Sequence, residues 1–292
     1  MKECYLYKTE GDYVQCLTCN HKCRVSPYKQ GLCGVRENQK GKLYNLTYDR
    51  IVYESLDPIE RIPLIKFLPN TRTLSIASVG CNFRCTWCQN WDASQCPKNT
   101  SRDEIMNKIG IESSPEQIVE LALKHNCQSI SYTYTEPTVF LELAFDTMKL
   151  AHENKLKNIW VSNGYISLEA LNLISPYLDA INIDLKGFNN KNYLKYTGAK
   201  LQPVLDNISE VFKRKIHLEI STLVIPNIND SQKELESLTN FIASVSRDIP
   251  WHILKFFPAY QLTDTIATQN ETLELAEDLG KKAGIRYINR SN

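Results

Sequence analysis

The chain has 292 residues, enough for one large domain with an appendage and for an ample buried core. Its 34 Lys and Arg against 33 Asp and Glu leave a net charge of +1, which removes any compositional argument for a nucleic-acid or anionic-membrane partner. No window approaches the roughly 18 apolar residues of a spanning helix, and Met1-Lys2-Glu3-Cys4 opens no apolar leader, so a cytoplasmic location is expected. In that setting ten cysteines read as metal ligands rather than as a disulfide framework.

Residues 1–62 form a first unit. Cys16, Cys19, Cys23 and Cys33 follow the pattern C-x2-C-x3-C-x9-C, with Gly31 in the longest gap. Four soft ligands at that spacing make a closed tetrahedral site. Structural zinc is the leading reading and an auxiliary iron–sulfur cluster the alternative, since four thiolates serve both. His21 is an alternative ligand or a solvent-facing loop residue. Gly41–Tyr48 alternates apolar and polar residues as a half-buried strand does. A unit so short gains its stability from a metal staple.

Residues 63–292 form the second unit. The connector Asp57-Pro58-Ile59-Glu60-Arg61-Ile62-Pro63, punctuated again at Pro69, leads into the β-branched run Thr73–Val79, which reads as a buried strand. Directly after it, Cys81, Cys85 and Cys88 stand in a C-x3-C-x2-C loop. Three thiolates on one loop do not complete a tetrahedral zinc site. They hold three irons of a four-iron cluster and leave the fourth open for chemistry.

Helical and strand patterns then alternate. Helices are expected at 115–124, 138–154, 168–178, 204–213, 231–245 and 271–283. Strands are expected at 128–134, 158–162, 180–185, 216–225 and 251–257. Ser114 is the expected cap of the first helix, with Pro115 at its first position. Six βα units at this cadence predict an α/β fold, a partial open (β/α)6 barrel of the TIM type. Polar residues gather at the carboxyl ends of its strands: the three cysteines, Glu136, Asn163-Gly164, then Asp184 and Lys186. Glu219 and His252 are weaker candidates, fitting interior polar roles. Cys96 and Cys127 read as ordinary cysteines, and the polar stretch 99–111 as either a lid or a solvated excursion.

The cysteine loop, with Trp87 before its last cysteine, resembles the cluster loop of radical S-adenosylmethionine (radical SAM) enzymes. Together with the N-terminal cysteines, Gly34-Val35-Arg36 and Asp57-Pro58-Ile59-Glu60, it makes the chain similar, from about Cys16 to Tyr260, to one group. That group is the radical SAM member of the AmmeMemoRadiSam system, itself related to pyruvate formate-lyase activating enzymes. The resemblance implies a [4Fe-4S] cluster on Cys81, Cys85 and Cys88 that binds S-adenosylmethionine and reductively cleaves it to a 5′-deoxyadenosyl radical. It implies that Glu136 binds the cofactor's amino group, in a segment where Tyr134-Thr135 replaces a Gly-Gly pair. Trp87, Asn163, Gly164, Asp184 and Lys186 are implied to bind the same cofactor, Asn163-Gly164 near its ribose. Activating enzymes often carry an acidic residue where this chain has Val161, so a cation site there is not implied.

For partners, the resemblance implies reduced flavodoxin or ferredoxin as electron donor. It also implies either Memo-like and AMMECR-like proteins, the closer similarity, or a glycyl radical enzyme. A third reading, a non-catalytic iron–sulfur carrier or scaffold, needs a fourth protein ligand to the loop. Cys96 is its candidate.

Overall fold

The computed structural model describes residues 1–290. Its centre is one eight-stranded sheet. Six parallel strands follow chain order across it: β1 (Arg72–Ala77), β2 (Ser129–Tyr132), β3 (Lys157–Ser162), β4 (Ala180–Asp184), β5 (His217–Val224) and β6 (Trp251–Lys255). The helices between and after them are α1 (Pro115–Lys124), α2 (Leu141–Glu153), α3 (Leu168–Ile174), α4 (Gln202–Lys213), α5 (Gln232–Val245) and α6 (Asn270–Ala283). The sheet is open: Tyr53–Pro58 forms one edge, antiparallel to β1, and Ile288–Arg290 forms the other, parallel to β6. This is the partial barrel expected from the sequence. None of its helices is long and apolar enough to cross a membrane, among the described residues.

Local chemistry sets the ends of these elements. Ser114 accepts from the Gln117 amide while the Gln117 side chain returns to the Ser114 amide, and Pro115 fills the first helical position of α1. Two expected helices begin or end as tighter 3₁₀ turns, at Pro137–Phe140 before α2 and at Ser175–Tyr177 after α3. Proline sits in each, where a missing N–H costs least. Among the elements not foreseen are the helix Asn190–Thr197, capped by Asn189, and the edge strand Tyr53–Pro58. The second was read as part of the first unit, yet it hydrogen-bonds into the barrel sheet. Its Asp-Pro end disguised it, although an edge strand tolerates proline.

The first unit consists of two small antiparallel sheets, 2–3/42–45/36–39 and 7–10/13–16/24–25. It docks on α2 through two carboxylates one turn apart. Glu142, fully buried, takes both guanidinium nitrogens of Arg36, at 3.1 and 2.7 Å, and the Asn45 amide at 3.0 Å. Asp146 takes Lys2, the Tyr5 hydroxyl at 2.8 Å and the Tyr48 hydroxyl at 2.7 Å. The stretch 99–111 also packs against this unit: Ile111–Glu112 pairs with Arg50–Ile51, and Arg102 meets Glu37 at 3.0 Å.

The connector after Pro58 runs against the inner side of the sheet. Ile59, Ile62 and Leu64 pack with Ile159 and Ala180. Its backbone is held by Glu219 of β5, which accepts from the Ile65 amide at 3.0 Å and the Lys66 amide at 2.8 Å. His217 and His252 reach the same carboxylate at 2.9 and 2.7 Å. Burial alone raises the Glu219 carboxyl, but these four donors bring it down to about 2.

Two predictions follow from these buried acids. Glu142→Ala leaves Arg36 buried without its partner and is expected to cost about 3–5 kcal/mol; urea unfolding measures it, and an unchanged midpoint contradicts the docking role. For Glu219 the folded pKa lies below the unfolded one, so its stabilisation is complete above about pH 5 and is lost as pH falls toward about 2. The stability gap between wild type and Glu219→Gln should therefore close across that window, and a gap independent of pH contradicts it.

Candidate active site

A cavity of about 320 Å³ opens at the carboxyl ends of the parallel strands. The β1 loop brings Cys81, Cys85, Trp87 and Cys88 to it, the β2 end brings Tyr134 and Glu136, and the β3 end brings Asn163. Asp184 and Lys186 come from the end of β4. Its floor is apolar, made by Ile62 and Pro63 of the connector with Val161, Leu223 and Leu254. Val161 thus presents methyl groups to that floor.

Local folding puts each thiol in place. Gly80 has φ +100°, and a Cβ there would stand 3.0 Å from Val35, so only glycine lets the chain turn off β1 into the loop. Cys81 Sγ accepts from the Phe83 amide at 3.3 Å. Cys88 Sγ lies 3.3 Å from the Ser94 hydroxyl. Burial raises the Cys81 thiol, with Glu136 adding to it, and pushes Cys85 up to about 12 despite the cation of Lys186. Thiols in such a place ionise when a metal takes the proton's place. Cys96 does not line the cavity; its thiol sits 3.3 Å from the Thr100 hydroxyl.

Glu136 is buried and ties two strand ends together. One carboxylate oxygen accepts from the Thr138 amide and hydroxyl and from the Ser162 hydroxyl at 2.9 Å; the other takes only the Asn163 amide, at 2.8 Å. Burial raises its pKa, and these donors oppose the rise. It therefore caps the turn that follows, and its second oxygen keeps acceptor capacity at the cavity. The Asn163 side chain donates to Asn82 Oδ1 at 2.7 Å and accepts from the Tyr165 amide at 3.0 Å. Gly164 does not line the cavity. At φ +72°, with Ile183 Cγ2 2.7 Å from where a Cβ would stand, it serves the turn and the packing beneath it.

Asp184 and Lys186 pair with each other at 2.9 Å on the cavity wall. Burial works against the Lys186 charge, but Asp184 and the nearby Cys85 raise its pKa overall. Glu219 and His252 lie away from the cavity and serve the connector. Asn82, Asn90 and Arg61 were not foreseen as site residues, and Tyr134 was expected at this strand end only as part of the Glu136 segment. Tyr134 has φ +61°, a conformation that a bulky residue takes at a cost, and Asn90 Nδ2 donates to its carbonyl at 2.8 Å. The two asparagines lie within and just after the cysteine loop, and no pattern in the sequence marks them.

A second, small cavity of about 20 Å³ lies between the first unit and the barrel. Cys16, Cys19, Cys23 and Cys33 all line it, together with His21 and Asn82. His21 is half-buried, its Nε2 donates to the Asn82 carbonyl at 2.9 Å, and its ring packs on Tyr165. That differs from the solvent-facing role expected for it, because the first unit docks over the cysteine loop. Burial raises the thiols of Cys19 and Cys33 and takes Cys23 up to about 11. The Asn82 Nδ2 is buried there without a partner. Every cysteine among the described residues is a free thiol. Among those residues no group of three or more His, Cys, Asp or Glu side chains stands arranged to hold a single metal ion. Metal binding at either cavity is argued from the donor sets and the spaces they line.

Comparison with known proteins agrees with this architecture. Residues 75–239 match the family model described as the Radical SAM superfamily. An uncharacterized protein of Methanocaldococcus jannaschii is 41% identical over 290 residues, which span 99% of this chain and 84% of that one. A pyruvate formate-lyase-activating enzyme of Staphylococcus epidermidis is 25% identical over 227 residues, spanning 72% of this chain and 86% of the relative. Among solved structures, a radical SAM methyltransferase from Sphaerobacter thermophilus has the same fold, with a TM-score of 0.57 at 13% identity over 77% of this chain and 68% of that one.

Proposed function

The chain belongs to the radical SAM superfamily, and from that premise we propose that Cys81, Cys85 and Cys88 hold a [4Fe-4S] cluster that works on S-adenosylmethionine in the larger cavity. The observation that carries this reading is the gathering of the three thiols with Glu136, Asn163, Asp184 and Lys186 around one space. When bound, the cluster supplies the electron that cleaves the sulfonium cofactor and so starts hydrogen abstraction.

The chain's own residues hold and orient. The spare oxygen of Glu136 receives the cofactor's amino group, and Lys186, paired with Asp184, offers a cation for its carboxylate. Asn163, on the cavity wall, would face the cofactor's ribose, and Trp87 would help exclude water from the cluster. Gly164 acts through the turn that presents Asn163. Reduced flavodoxin or ferredoxin is the electron donor in this proposal. Cys96, with its thiol turned to Thr100, gives no support to a fourth protein ligand, so an open iron is favoured over a carrier or scaffold.

For the substrate, the N-terminal cysteines and the Asp57-Pro58-Ile59-Glu60 segment favour a role in the AmmeMemoRadiSam system, beside Memo-like and AMMECR-like proteins. The relative in Staphylococcus epidermidis supports a second reading, activation of a glycyl radical enzyme. We further propose that the four cysteines within residues 1–62 hold one structural zinc ion. What supports one shared ion is that all four thiols line the same small cavity, a donor set that suits zinc.

Anaerobic reconstitution, reduction and addition of S-adenosylmethionine should yield 5′-deoxyadenosine, detected by chromatography. Cys85→Ala should lower the yield at least about 100-fold, because the cluster loses one of three anchors. A fully clustered wild type that yields none contradicts the assignment. Elemental analysis of the protein as isolated should find about one zinc per chain, lost in Cys19→Ser. A second complement of iron in place of zinc reassigns that site.

A further inference from the structure

The segment Asp57-Pro58-Ile59-Glu60-Arg61 ends the edge strand, leads the chain under the sheet and carries three charged residues. Asp57 is 1% exposed, a position where a carboxylate needs partners. It has three: the Tyr134 hydroxyl at 2.7 Å, the Ser55 hydroxyl at 3.1 Å and Arg61 Nη1 at 3.4 Å. Tyr134 is itself fixed, by its carbonyl's bond from Asn90 and by its ring on Tyr53 at 5.4 Å. The result is a braced wall at the cavity, with Arg61 at its outer end.

Arg61 differs from the other charged groups there. Glu136, Asp184 and Lys186 are already assigned to the cofactor, and each has a protein partner within 2.9 Å. Arg61 lines the cavity, its side chain is 71% exposed, and among the described residues its one ionic partner is Asp57, through a single long contact. A guanidinium carries five donors in a planar fork that matches a carboxylate or a phosphate. Most of that fork is left over.

We propose that Arg61, anchored by Asp57 and Tyr134, binds a carboxylate or phosphate group of the substrate, which makes the substrate an anion. This rests on the radical SAM reading of the same cavity and adds a substrate class to it. It also assigns a purpose to Tyr134, a bulky residue in a left-handed conformation: its hydroxyl positions Asp57, and through Asp57 the guanidinium.

The test is calorimetric titration of reconstituted, S-adenosylmethionine-loaded protein, under anaerobic conditions at fixed ionic strength. Inorganic phosphate and citrate are the probes, with glycerol as the neutral control. Wild type should bind one of the two anions, and Arg61→Gln should weaken it about tenfold or more, with Arg61→Lys in between. Phosphate alone binding identifies a phosphorylated substrate class, and citrate alone a carboxylic acid. Tyr134→Phe should weaken the same anion by a smaller factor, since the charge stays but its brace is lost. If wild type binds neither anion more tightly than Arg61→Gln does, the inference fails. The 5′-deoxyadenosine yield of the same wild-type preparation separates the two failures: no yield sinks the underlying reading, whereas a normal yield with equal anion binding sinks only the role of Arg61.

Discussion

Six strands running the same way place every strand's carboxyl end, and the polar residues that follow it, on one side of the sheet. The cavity exists because of that shared direction. Each strand delivers its loop to the same space, so thiols, a carboxylate, an amide and an ion pair from sequence positions 81 to 186 become neighbours. The crossovers through α1 to α5 let neighbouring strands run parallel, and the apolar faces of those helices fill the outer core.

Buried acids fasten the pieces around that frame, each at a seam. Glu142 docks the first unit on α2, Glu219 holds the connector's amides, Asp57 braces Tyr134 and Arg61, and Glu136 joins the end of β2 to that of β3. All four are satisfied by several donors, the condition under which a carboxylate is tolerated in the interior. Asn82 adds a link of a different kind. Its carbonyl accepts from His21 at the small cavity, and its side chain accepts from Asn163 at the large one. The loop that presents Cys81 is thereby tied to the N-terminal cysteines.

Much of this was legible in advance, and the reason is periodicity. Parallel strands buried on both faces read as apolar runs, and amphipathic helices with caps such as Ser114 and Ser231 declare their ends. The strand-end rule then located Cys81, Cys85, Cys88, Glu136, Asn163, Asp184 and Lys186, which the structure brings to one cavity. What escaped was carried by long-range partners. The pattern around Tyr53–Pro58 says nothing of β1, its partner in the sheet. Nothing near Glu219 points to the amides of Ile65 and Lys66, 154 and 153 residues away. Gly164 read equally as a turn residue or a cofactor-side glycine, and the left-handed turn with the methyls of Ile183 and Val204 accounts for the glycine there.

The central claim is that three cysteines leave one iron open and that S-adenosylmethionine occupies it. Electron paramagnetic resonance of the reduced, reconstituted protein tests this most directly, with S-adenosylmethionine labelled by ¹⁵N at its amino group and ¹⁷O at its carboxylate. The account predicts that adding the cofactor shifts the cluster signal and that both labels show hyperfine coupling to it. An unchanged signal with no coupling, from protein carrying a full cluster, would mean that the fourth iron has another ligand and would contradict the account.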